Sequence, residues 1–203
     1  MNFSSGEIRD LIKAWLAISL AVSIAFLGLG PLTSLGLPFL VRGLVIYAFT
    51  IGVAFLAHEI LGHKLLSQRY GLFAEFRAND RFLILAVLIS LTGFVFVAPG
   101  AVVISGVTRV DTYGRIAAAG PLVNIVLALF FGFLSRAGVA LVLPLYLGQE
   151  IDLVGLSYRF NALLALFNLL PLGLLDGAKV FAWNKSVWLL LIGVSGLLFL
   201  GVL

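Results

Sequence analysis

GLVIYAFTIGVAFLAHEILGHKLL, residues 43–66, has no charged side chain until Glu59, yet it holds both histidines of the chain, His58 and His63. A run this long and apolar is a helix able to cross a bilayer, which needs about 20 residues. Ionisable groups at such depth are costly and persist mainly where they do chemistry. His58, Glu59 and His63 are therefore candidates for a metal site near the far end of a membrane helix. Histidines at a helix end also suit simple capping or interfacial hydrogen bonds. The adjacent Glu59, and the absence of any other histidine, favour the metal.

Composition agrees with that setting. Hydrophobic residues make up 62 %, charged residues 11 %, and the mean hydropathy is +1.19. Soluble domains run at roughly 45–50 % and about 25 %. The 203 residues leave room for roughly six to eight crossings and little else. The expected fold is an all-α polytopic membrane protein of about five to seven transmembrane helices, one integral membrane domain over residues 1–203. The net charge of +4 comes from short connections with no basic run, so nucleic acid is excluded as a partner and the lipid bilayer is expected. Cysteine is absent, so a metal must take imidazole and carboxylate. The N-terminus leads into an apolar run without a small-residue cleavage pattern and reads as an anchor, not a removable signal.

The apolar runs are 14–29, ending at the helix-stopping pair Gly30-Pro31, then 43–66, 82–98, 116–134, 137–147, 161–175 and 186–203. Not all need cross. Residues 82–107 are interrupted by Gly93 and Pro99-Gly100, and 101–104 are strand-like, which suggests a small membrane-inserted β segment beside a watery site. Lys64, Arg69, Arg77 and Arg81 follow the histidines and mark that end as cytoplasmic, in a multi-pass protein of the cell membrane. Trp15, Trp183 and Trp188 read as interfacial anchors, and glycines such as Gly52, Gly62, Gly120 and Gly132 as points of close helix packing. No P-loop is present, and Ser4, Ser67 and Ser157 lack a histidine neighbour in sequence.

Hydrolytic zinc sites commonly use three protein ligands, a water and a carboxylate that takes its proton. Gly120-Pro121-Leu122-Val123-Asn124 lies at the start of one helical run, and Asn168-Leu169-Leu170-Pro171-Leu172-Gly173-Leu174-Leu175-Asp176-Gly177 at the end of another. With the His-Glu motif these stretches, over about residues 53–183, resemble the site-2 proteases, intramembrane zinc metalloproteases whose signature is Asn-x-x-Pro-x-x-x-Leu-Asp-Gly. The resemblance implies Asp176 as a third zinc ligand beside His58 and His63, Glu59 as general base, and Asn124 as a group that holds the substrate carbonyl or oxyanion. It also implies a three-helix catalytic core, about residues 43–183, with a β segment at 101–107. If the doubtful runs 82–98 and 137–147 both cross or neither does, Asp176 falls on the same side as His63.

The spacing departs from the family's His-Glu-x-x-His by one residue. On a regular helix, residues i and i+4 lie about 40° apart, but i and i+5 about 140° apart. Three readings stay open. A single π-bulge absorbs the extra residue, a feature common at functional sites; or Glu59 and His63, at i,i+4, are the ligands, with His58 outside them; or the site is dead. The function expected is a zinc metalloendopeptidase that cuts transmembrane segments of other membrane proteins. A noncatalytic protease-related adaptor and an ion or metal transporter are the alternatives. Asn124 and Asn168, lying in apolar helices, also suit interhelical hydrogen bonds.

Overall fold

The structure, a computed structural model, describes residues 2–95, 100–106, 109–146 and 148–203. In chain order these form α1 (Ser5–Leu27), α2 (Leu29–Ile51), a π-helical stretch (Gly52–Lys64), α3 (Leu65–Arg69), β1 (Phe73–Ala78), α4 (Asp80–Ser90), β2 (Gly100–Ser105), α5 (Val110–Arg136), β3 (Val142–Tyr146), β4 (Gln149–Asp152), α6 (Leu153–Asn168), α7 (Asp176–Trp183) and α8 (Lys185–Phe199). The end of the expected 82–98 run, Pro99, Val107 of the expected 101–107 segment, and Leu147 lie outside the described residues.

The first break in the helices falls at Gly28 (φ 75°), before Gly30-Pro31, because Pro31 sits in the first turn of α2, where a missing N–H costs little. From Ser34 to Arg69 a 36-residue helical segment, kinked at Gly36 (φ 74°) ahead of Pro38, runs on through the π stretch. With α1 (23 residues) and α5 (27 residues), that makes three helices long and apolar enough to cross a membrane by length and composition. Three of the remaining apolar runs form shorter helices, α4 with 11 residues, α6 with 16 and α8 with 15, so by this measure the described residues show three such helices and do not confirm the expected five to seven. α6 also begins earlier than the expected 161, because the Asp152 carboxylate caps it, accepting from the Val154 and Gly155 amides at 3.0 and 2.9 Å.

The chain is mostly helical but not all-α. β1 pairs antiparallel with β2, Phe76 opposite Val102, and β3 with β4. The run 137–147 contributes no helix: Gly138 (φ 79°) closes α5, Pro144 opposes helix, and the five residues of β3 span only about 16 Å of a hydrocarbon layer about 30 Å thick.

α5 lies at the centre, packed on the π stretch, α6, α7 and α8. One apolar cluster joins α1, α2, the π stretch, β1 and α6 around Ile18, Tyr47, Phe55 and Phe160; a second joins α5 to α8 around Ala128, Ala165, Val180 and Leu198. The start of α1 clasps β1: Glu7 accepts from the Phe76 amide at 2.9 Å and pairs with Lys64, both ions being about 1 % exposed, and Asp10 accepts from the Ala78 amide at 3.3 Å. The Ser4 hydroxyl donates to Glu75 and, with Arg77 beside it, holds that carboxyl below its usual range. The sheet is thereby tied to the helix that carries the histidines.

Candidate metal centre

The extra residue between the histidines is absorbed by a 13-residue π-helical stretch, much longer than a single bulge. Hydrogen bonding from i to i+5 brings residues five apart onto one face. His58 and His63 accordingly meet, Nε2 to Nε2, at 3.0 Å. Gly120 of α5 makes the space: a Cβ there would stand 2.5 Å from His63 Nε2 and 2.6 Å from His58 Nε2. Gly62 faces the same glycine across the helix crossing, where a Cβ would lie 2.5 Å from the Gly120 Cα. Both glycines are close-packing points, as their place in apolar helices suggests, and Gly120 in addition clears room for the imidazoles.

Asp176 arrives from the opposite side. It opens helix α7 and is not part of a connection at the end of a helix, as expected, because α6 stops at Asn168 and residues 169–175 turn the chain. A carboxylate in the first turn is favoured by the helix dipole. Gly177 lets that turn sit against the carbonyls of Leu169 and Leu170, just past the end of α6, leaving no room for a Cβ. Asp176 Oδ2 lies 3.3 Å from His58 Nε2 and 3.0 Å from His63 Nε2, and all three residues are buried. The three ligand atoms form a group able to hold a metal ion.

The chemistry of this donor set fits zinc. His63 Nδ1 donates to the Ile116 carbonyl at 2.9 Å, and His58 Nδ1 meets the side-chain oxygen of Asn124 at 2.5 Å. Each ring therefore turns an Nε2 lone pair toward the other and toward a carboxylate oxygen. Three electron-rich atoms facing one point are satisfied by a cation. Their spacings of 3.0–3.3 Å are close to the edge of a tetrahedron with bonds of about 2.0 Å, about 3.3 Å. Lys179, which the sequence reading did not single out, donates to the other carboxylate oxygen, Asp176 Oδ1, at 3.2 Å.

A cavity of about 400 Å³ opens on this group, lined by His58, Glu59, His63, Asp176, Lys179 and residues 100–104 of β2. Glu59 is 8 % exposed, and its Oε2 is buried without a partner among the described residues. Asn168 also lines the cavity; its amide donates to the Leu164 carbonyl at 3.0 Å. Asn124 does not line it. Fully buried, it spends its oxygen on His58 and its amide on Ala54 and Asn161.

Over 190 residues, 92 % of this chain and 89 % of the relative, the sequence is 34 % identical to a protein of Methanocaldococcus jannaschii named "Putative zinc metalloprotease MJ0611". The chain belongs to this zinc metalloprotease family. No family model matches it, and no solved structure matches it to significance. For the zinc metalloprotease family a site of two imidazoles and one carboxylate, with a further carboxylate in the same cavity, is the expected chemistry.

Proposed function

We propose that this chain is an intramembrane zinc endopeptidase of the site-2 protease kind, one integral membrane domain over residues 1–203 that cuts transmembrane segments of other membrane proteins near the cytoplasmic side. The observation that carries the reading is the convergence of His58, His63 and Asp176 in a cavity that also holds the unpartnered Glu59 oxygen. The site lies toward one end of the apolar helical segment Ser34–Arg69, beside Lys64, Arg69 and Arg77, which supports the cytoplasmic assignment.

Zinc held by His58, His63 and Asp176 would act as a Lewis acid and bring the pKa of a water down to about 7. Glu59 is placed to take a proton from water and return it to the leaving amine nitrogen. Lys179 and Asn168 line the same cavity, where charge would develop on the carbonyl oxygen. A helical substrate hides its peptide bonds and must unwind first. The outer edge of β2 faces the cavity and has no strand partner among the described residues, so it can take the unwound stretch as an added strand.

The test uses the full chain in detergent with a membrane-spanning substrate. About one zinc per chain is expected, lost together with cleavage in Asp176→Ala. Glu59→Gln should keep the zinc and slow cleavage by roughly 10²–10⁴-fold. Cleavage that survives Glu59→Gln overturns the proposal. Zinc flux into vesicles without proteolysis would favour a transporter, and a chain that binds no zinc would favour an adaptor.

A further inference from the structure

We propose that Asn161 and Asn124 form a positioning relay that holds the proton of His58 on Nδ1 and so keeps its Nε2 free for zinc. The proposal rests on the zinc reading above, and its test is arranged so that the two can fail separately.

The Ser157 main-chain carbonyl can only accept, and Asn161 Nδ2 lies 2.9 Å from it. The oxygen of Asn161 must then face the other way, where Asn124 Nδ2 meets it at 2.9 Å. Asn124 Nδ2 lies equally close, 2.9 Å, to the Ala54 carbonyl. Both of its hydrogens are committed to acceptors, so a flipped amide would set oxygen against two oxygens. Asn124 Oδ1 is thereby fixed toward His58, and at 2.5 Å only an N–H on Nδ1 can satisfy it. Asn124, Asn161 and Ser157 are fully buried, and His58 is 3 % exposed, so water does not compete.

The relay has something to oppose. Asp176 Oδ2, 3.3 Å from His58 Nε2, would accept a proton there, and a proton on Nε2 blocks that nitrogen as a ligand. His63 obtains the same orientation from a main-chain carbonyl, that of Ile116. His58 depends instead on two side chains from two helices, α5 and α6, and is open to mutation. Partners of this kind, which orient a metal-ligating histidine, typically change metal affinity 10–100-fold when removed. A role for Asn124 in gripping substrate would leave zinc affinity alone and reduce only the cleavage rate.

The experiment compares Asn124→Leu and Asn161→Leu with the wild type in full-length protein. Zinc affinity is read by competition with a chelator, and the Nδ1–H signal of each histidine by side-chain ¹⁵N–¹H correlation in zinc-free protein. Asn124→Leu should lose roughly 10–100-fold in zinc affinity and the Nδ1–H signal of His58 alone, with His63 as internal control. Asn161→Leu should shift both readouts the same way by a smaller factor, and it carries the test if Asn124→Leu does not fold. Where the wild type binds zinc, unchanged zinc affinity in both variants overturns the relay, as does loss of both histidine signals together, which marks general loosening. A wild type without zinc whose His58 signal still depends on Asn124 would sink the zinc reading and leave the relay standing.

Discussion

The two edges of the β1–β2 sheet have opposite treatments. On the β1 side, the outward N–H groups of Phe76 and Ala78 are taken by Glu7 and Asp10, and Glu7 is in turn locked to Lys64, the neighbour of His63. In the antiparallel register, Phe76 faces Val102 and Ala78 faces Gly100. Those partners therefore turn their own N–H groups away from β1, and both residues line the cavity. One edge is sealed by buried carboxylates, and the other has no strand partner among the described residues. Exposed edges invite pairing with another chain, so on the proposed reading an incoming strand would be limited to the open edge of β2.

The largest effect is expected from unsealing. Glu7→Ala leaves the Lys64 ammonium buried and unpaired, which costs about 3–5 kcal/mol, read by denaturant or thermal unfolding in detergent. Stability within 1 kcal/mol of wild type would remove the clasp from the account. On the open edge, Val102→Pro deletes an outward N–H without touching the β1 ladder. On the proposed reading, cleavage falls roughly tenfold while bound zinc is unchanged; cleavage at the wild-type rate would mean the edge holds no substrate. The smallest effect is expected from Asp10→Ala. It removes one acceptor from the Ala78 amide, about 1 kcal/mol of stability, with zinc content preserved.

Some elements were legible because their signal is local. The rod through residues 43–66 and the long helix over 116–134 follow from unbroken apolar runs, and strand character at 101–104 from β-branched residues after a Pro-Gly break. β1 was not legible, since Glu75 and Arg77 make it resemble a polar connection. It becomes a strand through β2, about 25 residues away, and through carboxylates on α1. The tryptophans taken as interfacial anchors show the same limit: Trp15 donates to the Ala48 carbonyl and Trp188 to the Leu169 carbonyl, each at 2.8 Å, tying one helix to the end of another segment. In the candidate site, residue types and rough placement could be read from the chain. The neighbours Gly120, Asn161 and Lys179 could not, because each acts across a helix crossing or a turn.

By itself the sequence determined an apolar, cysteine-free chain with two histidines and a glutamate near the end of a long helix, which limits any metal to imidazole and carboxylate ligands. Tertiary structure decided whether those groups meet. A six-residue segment with histidines at its ends specifies no direction for the rings until the backbone hydrogen-bond pattern is fixed. That pattern is fixed by packing against α5, where glycine at position 120 gives the imidazoles room, and by α7, whose first residue brings the carboxylate to them.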